Sequence, residues 1–234
     1  MNQAKFANGN TIGSVQDWIV KHNEDYGAVR DRLTAVRNVV LRGPLEAAGS
    51  VLEKAYTFAV MSIRTKRDRH ERAFTAHYSG DVSLKEASLM TVYGGQKFGW
   101  IQRTQDAVDW EDLVIAVRSH VRGGRYATLL EAINDNLIGV AHRKGGFMLA
   151  MSGLWEYMCI DSNVASFAGY EDTSDNTLEF DSAKAYLDAC SEICEEITGG
   201  NPYLPPFIVQ WAIYDFENGH HADHLPFFRE VIGW

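Results

Sequence analysis

Two short segments carry the residues whose types and spacing suggest chemistry. In the first, Gly139 to Lys144, one apolar residue lies between two small ones and the sequence His-Arg-Lys follows. Apolar residues at helical spacing precede this turn, and a second apolar segment runs from about Gly145 to Met151. The pattern predicts a helix, a tight hairpin and a helix. Backbone N–H groups and cations at the start of the second helix would suit a phosphate.

Asp161 is the second chemically suggestive feature. It follows an apolar and aromatic run from Leu154 to Ile160, so we expect the approach to it to be buried. The order Asp-Ser-Asn before Val164 is typical of a helix start, which predicts an N-cap role for this carboxylate. A carboxylate reached through a buried run is also typical of a catalytic group. We interpret Asp161 as both.

Together these residues resemble the helix-hairpin-helix DNA glycosylase superfamily, with its endonuclease III, adenine glycosylase and 8-oxoguanine glycosylase branches. The family hairpin reads apolar-x-Gly-apolar-Gly-x-Lys-x-Ala, and an Asp follows some 18 positions after the Lys. The segment GVAHR fits this frame, and Asp161 lies 18 residues after Arg143. The resemblance implies that Asp161 is the catalytic carboxylate. It also implies DNA contacts by Gly139, Ala141, His142 and Arg143.

The departures from the family pattern concern the hairpin. Ala141 replaces the second glycine, and Arg143 occupies the position of the family's Schiff-base lysine. An arginine does not lose its proton to become an amine nucleophile, so lyase activity is an open question. Lys144 is the alternative catalytic amine. One position along a helix turns a side chain by about 100°, so we expect Lys144 to point away from the site.

Two further segments resemble the family in the order that the family uses. Met61-Ser62-Ile63-Arg64 is similar to the Leu-Ser-x-Gln end of a buried helix, which implies that Arg64 enters the duplex; the alternative is that Arg64 caps a helix C-terminus. The segment VYGGQKFGWI is similar to Gly-Leu/Phe-Tyr-x-x-Lys-Ala, which implies DNA contacts by Lys97 and Gln96. The resemblance covers roughly residues 45–170.

Helical periodicity and few β signals predict an all-α fold of two helical lobes with a cleft between them. We divide the chain into N-terminal helices (1–44) packing with the C-terminal lobe, a helical lobe (45–128), the hairpin and Asp161 segment (129–170), and C-terminal helices with a tail (171–234). A base flipped into the cleft would stack on aromatic side chains. The candidates are Trp100, Trp155, Trp211 and Tyr214.

Charge and composition limit the partners. The net charge of −9 argues against indiscriminate nucleic-acid binding, but Lys and Arg concentrate in residues 30–42, 64–72 and 118–144. This asymmetry permits one DNA-facing side with salt-sensitive binding. We expect a monomer without cofactor or metal. Its three cysteines do not suffice for the family's four-cysteine iron–sulfur loop, and a cluster of His220, His221, Asp223 and His224 is more typical of an exposed turn.

The chain contains no apolar run of about 18 residues and no apolar signal core near residue 1. We therefore expect a cytoplasmic protein with no membrane partner. Cys190 and Cys194, one helical turn apart, are more typical of core packing than of a ligand pair.

The favoured hypothesis is a DNA glycosylase that flips a modified or mismatched base out of duplex DNA and cleaves its N-glycosidic bond. Asp161 would stabilise positive charge on the sugar or activate a water. Two alternatives stay open. Some phage proteins that resemble this superfamily are transferases, in which an amino acid displaces pyrophosphate from an activated 5-hydroxymethyluracil. A non-enzymatic helical DNA-binding protein is the second alternative.

Overall fold

The computed structural model describes residues 9–170, 180–200 and 204–218. These residues form helices and no β-strand, which confirms the all-α class. The helices are α1 (Gly9–Lys21), α2 (Asn23–Arg42), α3 (Leu45–Met61), α4 (Arg67–Tyr78), α5 (Leu84–Leu89), α6 (Gly94–Ala107), α7 (Trp110–Arg122), α8 (Tyr126–Asn136), α9 (His142–Met151), α10 (Ser162–Phe167), α11 (Ala183–Thr198) and α12 (Pro206–Asn218). Within the described ranges, no helix has the length and apolar character needed to cross a bilayer.

Helix α3 is the central element of the fold. It packs against α2, α4, α6, α7 and α9. Every residue from Ala55 to Met61 is buried, and none of them is charged. A helix segment that is buried on all sides must be surrounded by other elements. The turn that follows Met61 therefore starts in the centre of the molecule and leads outward to α4.

The N-terminal helices contact the C-terminal ones directly. Helix α1 packs against α11 and α12, and Gln16 Nε2 donates a hydrogen bond to Ile197 O at 2.8 Å. Tyr26 OH donates to Asp215 Oδ2 at 2.7 Å, which joins α2 to α12. These contacts hold α12 in place beside the start of α10.

Helices α8 and α9 enclose the predicted hairpin. Helix α9 begins at His142, so the three basic residues lie in its first turn, as the sequence pattern predicts. Gly139 has φ +82°, and a Cβ built on it would lie 2.6 Å from Trp100 Cε3. Glycine is therefore required here both for the left-handed backbone and for the close approach of the indole. A Cβ on Gly146 would lie 2.8 Å from Met158 O, so α9 also packs tightly against the segment that leads to Asp161.

Candidate functional site

A cavity of about 920 Å³ opens where the end of α3 and the starts of α4, α9 and α10 meet α12. We call it the basic cavity, because its lining contains five Lys and Arg residues and one carboxylate. Its charged lining residues are Arg64, Lys66, Arg67, Arg143, Lys144 and Asp161. The whole chain carries a net charge of −9, so this cavity is a local cationic site on an acidic protein, suited to an anionic ligand.

Asp161 forms one wall of the basic cavity and is the N-cap of α10, as its sequence context predicts. Its Oδ1 accepts hydrogen bonds from Asn163 N and Val164 N, both at 3.0 Å. No described residue donates a hydrogen bond to Oδ2. The cap therefore orients the carboxylate and leaves one oxygen for chemistry in the cavity.

Two buried side chains hold the extended segment before Asp161. Tyr186 OH donates to Met158 O at 2.5 Å and accepts from Ile160 N at 3.3 Å. Gln210 Oε1 accepts from Cys159 N at 2.6 Å. Sequence reasoning missed both roles, because a tyrosine on an apolar helix face and a glutamine in an apolar helix look like ordinary packing residues.

Arg143 and Lys144 both line the basic cavity, so the prediction that Lys144 points away from the site is wrong. The Lys144 Nζ donates to Ser62 Oγ at 2.8 Å and lies 5.1 Å from the centroid of the Phe147 ring. Burial raises the pKa of the Cys159 thiol, while Lys144 lowers it and Asp161 raises it. The ammonium and the carboxylate are thus both within electrostatic reach of one buried thiol.

The hairpin contributes three more lining residues: Gly139, Ala141 and His142. Ala141 is the exposed N-cap of α9, and the His142 ring stacks at 6.1 Å and 24° against Tyr186. All of the hairpin positions that the sequence assigned to DNA contacts therefore lie at the basic cavity.

Other titratable groups around the cavity have shifted pKa values. Burial, followed by the charge of Lys144, lowers the pKa of His70 to about 3, so this lining imidazole is neutral at neutral pH. Burial raises the pKa of Tyr214, and the nearby Asp161 raises it further. Glu71, close to Tyr214 and Arg67, has a pKa raised by burial to about 7.

Lys97 does not contact phosphate, because it is fully buried. Its Nζ donates to Met61 O at 2.8 Å, to Ile63 O at 2.6 Å and to Thr65 Oγ1 at 2.8 Å. This correction to the sequence prediction gives Lys97 a structural role, since its ammonium closes the turn between α3 and α4. Gln96 is exposed on α6 and does not line the basic cavity.

The turn closed by Lys97 presents Arg64 at the cavity. Arg64 is exposed and has φ +50°, a left-handed conformation that non-glycine residues adopt rarely. The C-cap of α3 is Ser62, so Arg64 lies beyond the helix end and is not its cap. A strained backbone held by a buried ammonium is typical of a functional position.

The four predicted base-pocket aromatics divide into two groups. Trp211 and Tyr214 line the basic cavity, together with Phe147 and Phe180. The Trp100 ring packs directly against Gly139 of the hairpin. Trp155 lies at a separate cavity of about 800 Å³, with the Arg37 guanidinium 5.0 Å from its ring centroid. Contrary to the base-pocket prediction, neither Trp100 nor Trp155 lines the basic cavity, because Trp100 packs against Gly139 and Trp155 lies at the second cavity.

The histidine cluster at residues 220–224 lies outside the described residues. No family model, curated protein or solved structure matches this chain. The chemistry of the basic cavity is therefore the feature of this protein that points to a function.

Proposed function

We propose that the protein is a DNA glycosylase that receives a flipped nucleotide in the basic cavity and cleaves its N-glycosidic bond, with Asp161 as the catalytic carboxylate. The supporting observation is that Asp161, the hairpin cations and Arg64 line one cavity, although they come from distant parts of the chain. Anion binding and a fixed carboxylate in one place are what this reaction requires.

The cations of the basic cavity supply the DNA affinity. Arg64 and Arg143 would contact phosphates on either side of the flipped nucleotide. Helix α9 begins at His142, and the first N–H groups of a helix have no partner within it, so they add hydrogen-bond donors for a phosphate. Binding of this kind weakens steeply as salt concentration rises.

The base itself would occupy the aromatic part of the cavity. A volume of about 920 Å³ is ample for a nucleotide, and binding pockets for small molecules typically measure roughly 300–1,000 Å³. Trp211 and Tyr214 offer ring faces for stacking. Flipping exposes the bond between the base and C1′, which is inaccessible inside a duplex.

Asp161 then acts on the sugar. As the C1′–N bond breaks, its electron pair leaves with the base and positive charge develops on the sugar. The oxygen of Asp161 that does not cap α10 stabilises this charge, or accepts the proton of a water that attacks C1′. Its fixed orientation means that little reorganisation is needed during the reaction.

The test is release of free base from duplexes that contain 8-oxoguanine, uracil, 5-hydroxymethyluracil or a mismatch. We expect release from at least one duplex, and we expect Asp161→Asn to abolish it. Asparagine is a good N-cap, so the unfolding transition should stay nearly unchanged. Asp109→Asn is the matched control, because Asp109 caps α7 through Glu111 N at 2.9 Å and Asp112 N at 3.1 Å, away from the cavity. Absence of release from the whole panel would contradict the proposal.

One observation favours a second candidate, the amino acid:DNA transferase. Five cations in the cavity exceed what one phosphate requires, and they suit a pyrophosphate leaving group. In this reaction an amine forms a bond to the 5-methylene carbon and loses a proton, while the C–O bond to pyrophosphate breaks. Amino acid incorporation into DNA carrying pyrophosphorylated 5-hydroxymethyluracil, without base release, would favour this candidate over the glycosylase. Mass analysis of nuclease digests distinguishes the two products.

A further inference from the structure

Gln210 on α12 is a buried polar side chain whose amide oxygen already accepts a hydrogen bond. It is 3% exposed and lines the basic cavity. Its Oε1 accepts the hydrogen bond from Cys159 N at 2.6 Å. Because a backbone N–H only donates, the oxygen of the amide must face Cys159. The orientation of the amide is therefore determined, and its nitrogen points elsewhere.

The amide nitrogen of Gln210 makes no hydrogen bond to any described residue. It is also not among the described polar atoms that are fully enclosed without a partner, so it retains contact with the cavity space. Buried donors in proteins are normally satisfied by protein, water or ligand. The two amide N–H groups of Gln210 at the wall of the basic cavity thus form a site for a hydrogen-bond acceptor.

The neighbours of Gln210 suggest what carries that acceptor. Tyr214 lies four residues later, on the same face of α12, and it also lines the cavity. Trp211 packs edge-on against Tyr214, with ring centroids 5.4 Å apart at 74°. A flat ring placed against these aromatics would present its edge to the Gln210 amide.

We propose that Gln210 is a specificity-determining residue that donates hydrogen bonds to a carbonyl oxygen of the bound base, an inference that rests on the proposed function. The substrate class is then an oxo-base, either a pyrimidine of the uracil and thymine type or an oxopurine. Adenine has an amino group where these bases have an oxygen, so the Gln210 amide and the adenine amino group would both be donors and could not form a hydrogen bond. Sites built around such a hydrogen bond discriminate strongly against analogues that lack it.

Removing the carbonyl from the ligand tests this with the wild-type protein. Duplexes carry a non-hydrolysable 2′-fluoro thymidine or its apolar isostere difluorotoluene, and 2′-fluoro guanosine or the corresponding 2-aminopurine nucleoside, which lacks the O6 oxygen. A tetrahydrofuran abasic duplex contains no base. We expect the carbonyl-bearing member of at least one pair to bind about tenfold more tightly in fluorescence anisotropy, the effect of one buried hydrogen bond.

Changing the protein gives the complementary test. In Gln210→Glu one oxygen still accepts from Cys159 N while the other accepts where the amide donated, so the preference for the carbonyl base within a pair should disappear. The added negative charge should weaken the binding of all duplexes, abasic DNA included, so the comparison is made within each pair. Gln210→Met removes both the acceptor for Cys159 N and the donor to the base. Its unfolding transition shows how much the contact with Cys159 N contributes to folding, apart from the contact with the base. Equal binding within both pairs, or a preference that survives in Gln210→Glu, overturns the inference while base release by wild type keeps the proposed function. If the wild-type protein neither binds abasic duplex DNA nor releases a base, both the inference and the proposed function are overturned.

Discussion

The Lys144 ammonium donates a hydrogen bond to Ser62 Oγ at 2.8 Å, and this contact joins the first turn of α9 to the end of α3. The Ser62 hydroxyl in turn donates a hydrogen bond to Ala59 O at 2.7 Å, so the lysine is linked through the serine to the central helix. The hairpin and the turn that presents Arg64 are thereby held together at the basic cavity.

We predict that Lys144 is not an amine nucleophile at neutral pH, so borohydride should trap no covalent adduct between wild-type protein and DNA. An amine must lose a proton before it attacks. The Ser62 hydroxyl donates its hydrogen bond to Ala59 O and is not a base, and His70, with a pKa lowered to about 3, is too weak a base to accept a proton from an amine at neutral pH. Lys144→Met should reduce DNA affinity instead. An adduct that forms with wild type and with the exposed control Lys184→Met, but not with Lys144→Met, would contradict this.

The second prediction concerns the buried Lys97. Lys97→Met leaves two carbonyls of the α3–α4 turn without their donor, and we expect it to loosen the turn and weaken DNA binding through Arg64. The cost in free energy of unfolding should be on the order of 1–3 kcal/mol near neutral pH. Urea denaturation measures it, with Lys85→Met on the exposed surface of α5 as the control. Unchanged DNA binding by Lys97→Met would show that the turn does not need the ammonium.

This lysine also predicts a pH dependence. Burial lowers the pKa of Lys97 from 10.5 to about 7, with Lys144 and Arg69 lowering it further. Above about pH 7 the native state has lost a proton that the unfolded chain retains up to the ordinary lysine pKa of 10.5, so the Lys97 contribution makes stability rise with pH across this window. The difference in unfolding free energy between wild type and Lys97→Met should therefore grow over this window. A difference that stays constant would contradict the shifted pKa.

Glu71 predicts the opposite slope at lower pH. Burial raises its pKa from 4.5 to about 7, so the native carboxyl keeps a proton that the unfolded chain loses in this window. Its contribution to stability is present below about pH 4.5 and is lost as pH rises through about 7. Glu71→Gln should match wild type at low pH and exceed its stability at about pH 8 by roughly 1–3 kcal/mol. Equal stability curves for the two proteins would refute this.

The fourth position is the hairpin glycine. Gly139→Ala introduces a Cβ 2.6 Å from Trp100 Cε3 on a backbone with φ +82°, so we expect a loss of roughly 1–3 kcal/mol in stability and weaker binding to abasic duplex DNA. Gly99→Ala is the control, because a Cβ there meets nothing within 4 Å and helix propensity should stabilise the variant by about 0.5–1 kcal/mol. Thermal unfolding of the two variants should shift in opposite directions. A Gly139→Ala variant as stable as wild type would mean that Trp100 moves freely.

The features predicted correctly from the sequence are those set by nearby residues. Asp161 caps α10 because its carboxylate reaches backbone N–H groups two and three residues later. Gly139 forms the hairpin because a left-handed residue is needed there, and the helices follow from apolar spacing within one or two turns. Such interactions are encoded within a few residues, so the sequence by itself determined them.

Only the tertiary structure decided which side chains meet. Lys97 is buried because carbonyls 34 and 36 residues away accept hydrogen bonds from its ammonium. The residues next to Lys97 in sequence do not indicate these partners. The Gln210 amide is oriented by a backbone N–H 51 residues away. Lys144 lies at the cavity because its ammonium donates a hydrogen bond to Ser62, 82 residues earlier. Whether a polar side chain contacts ligand or completes the interior depends on packing between distant segments, which local spacing does not specify.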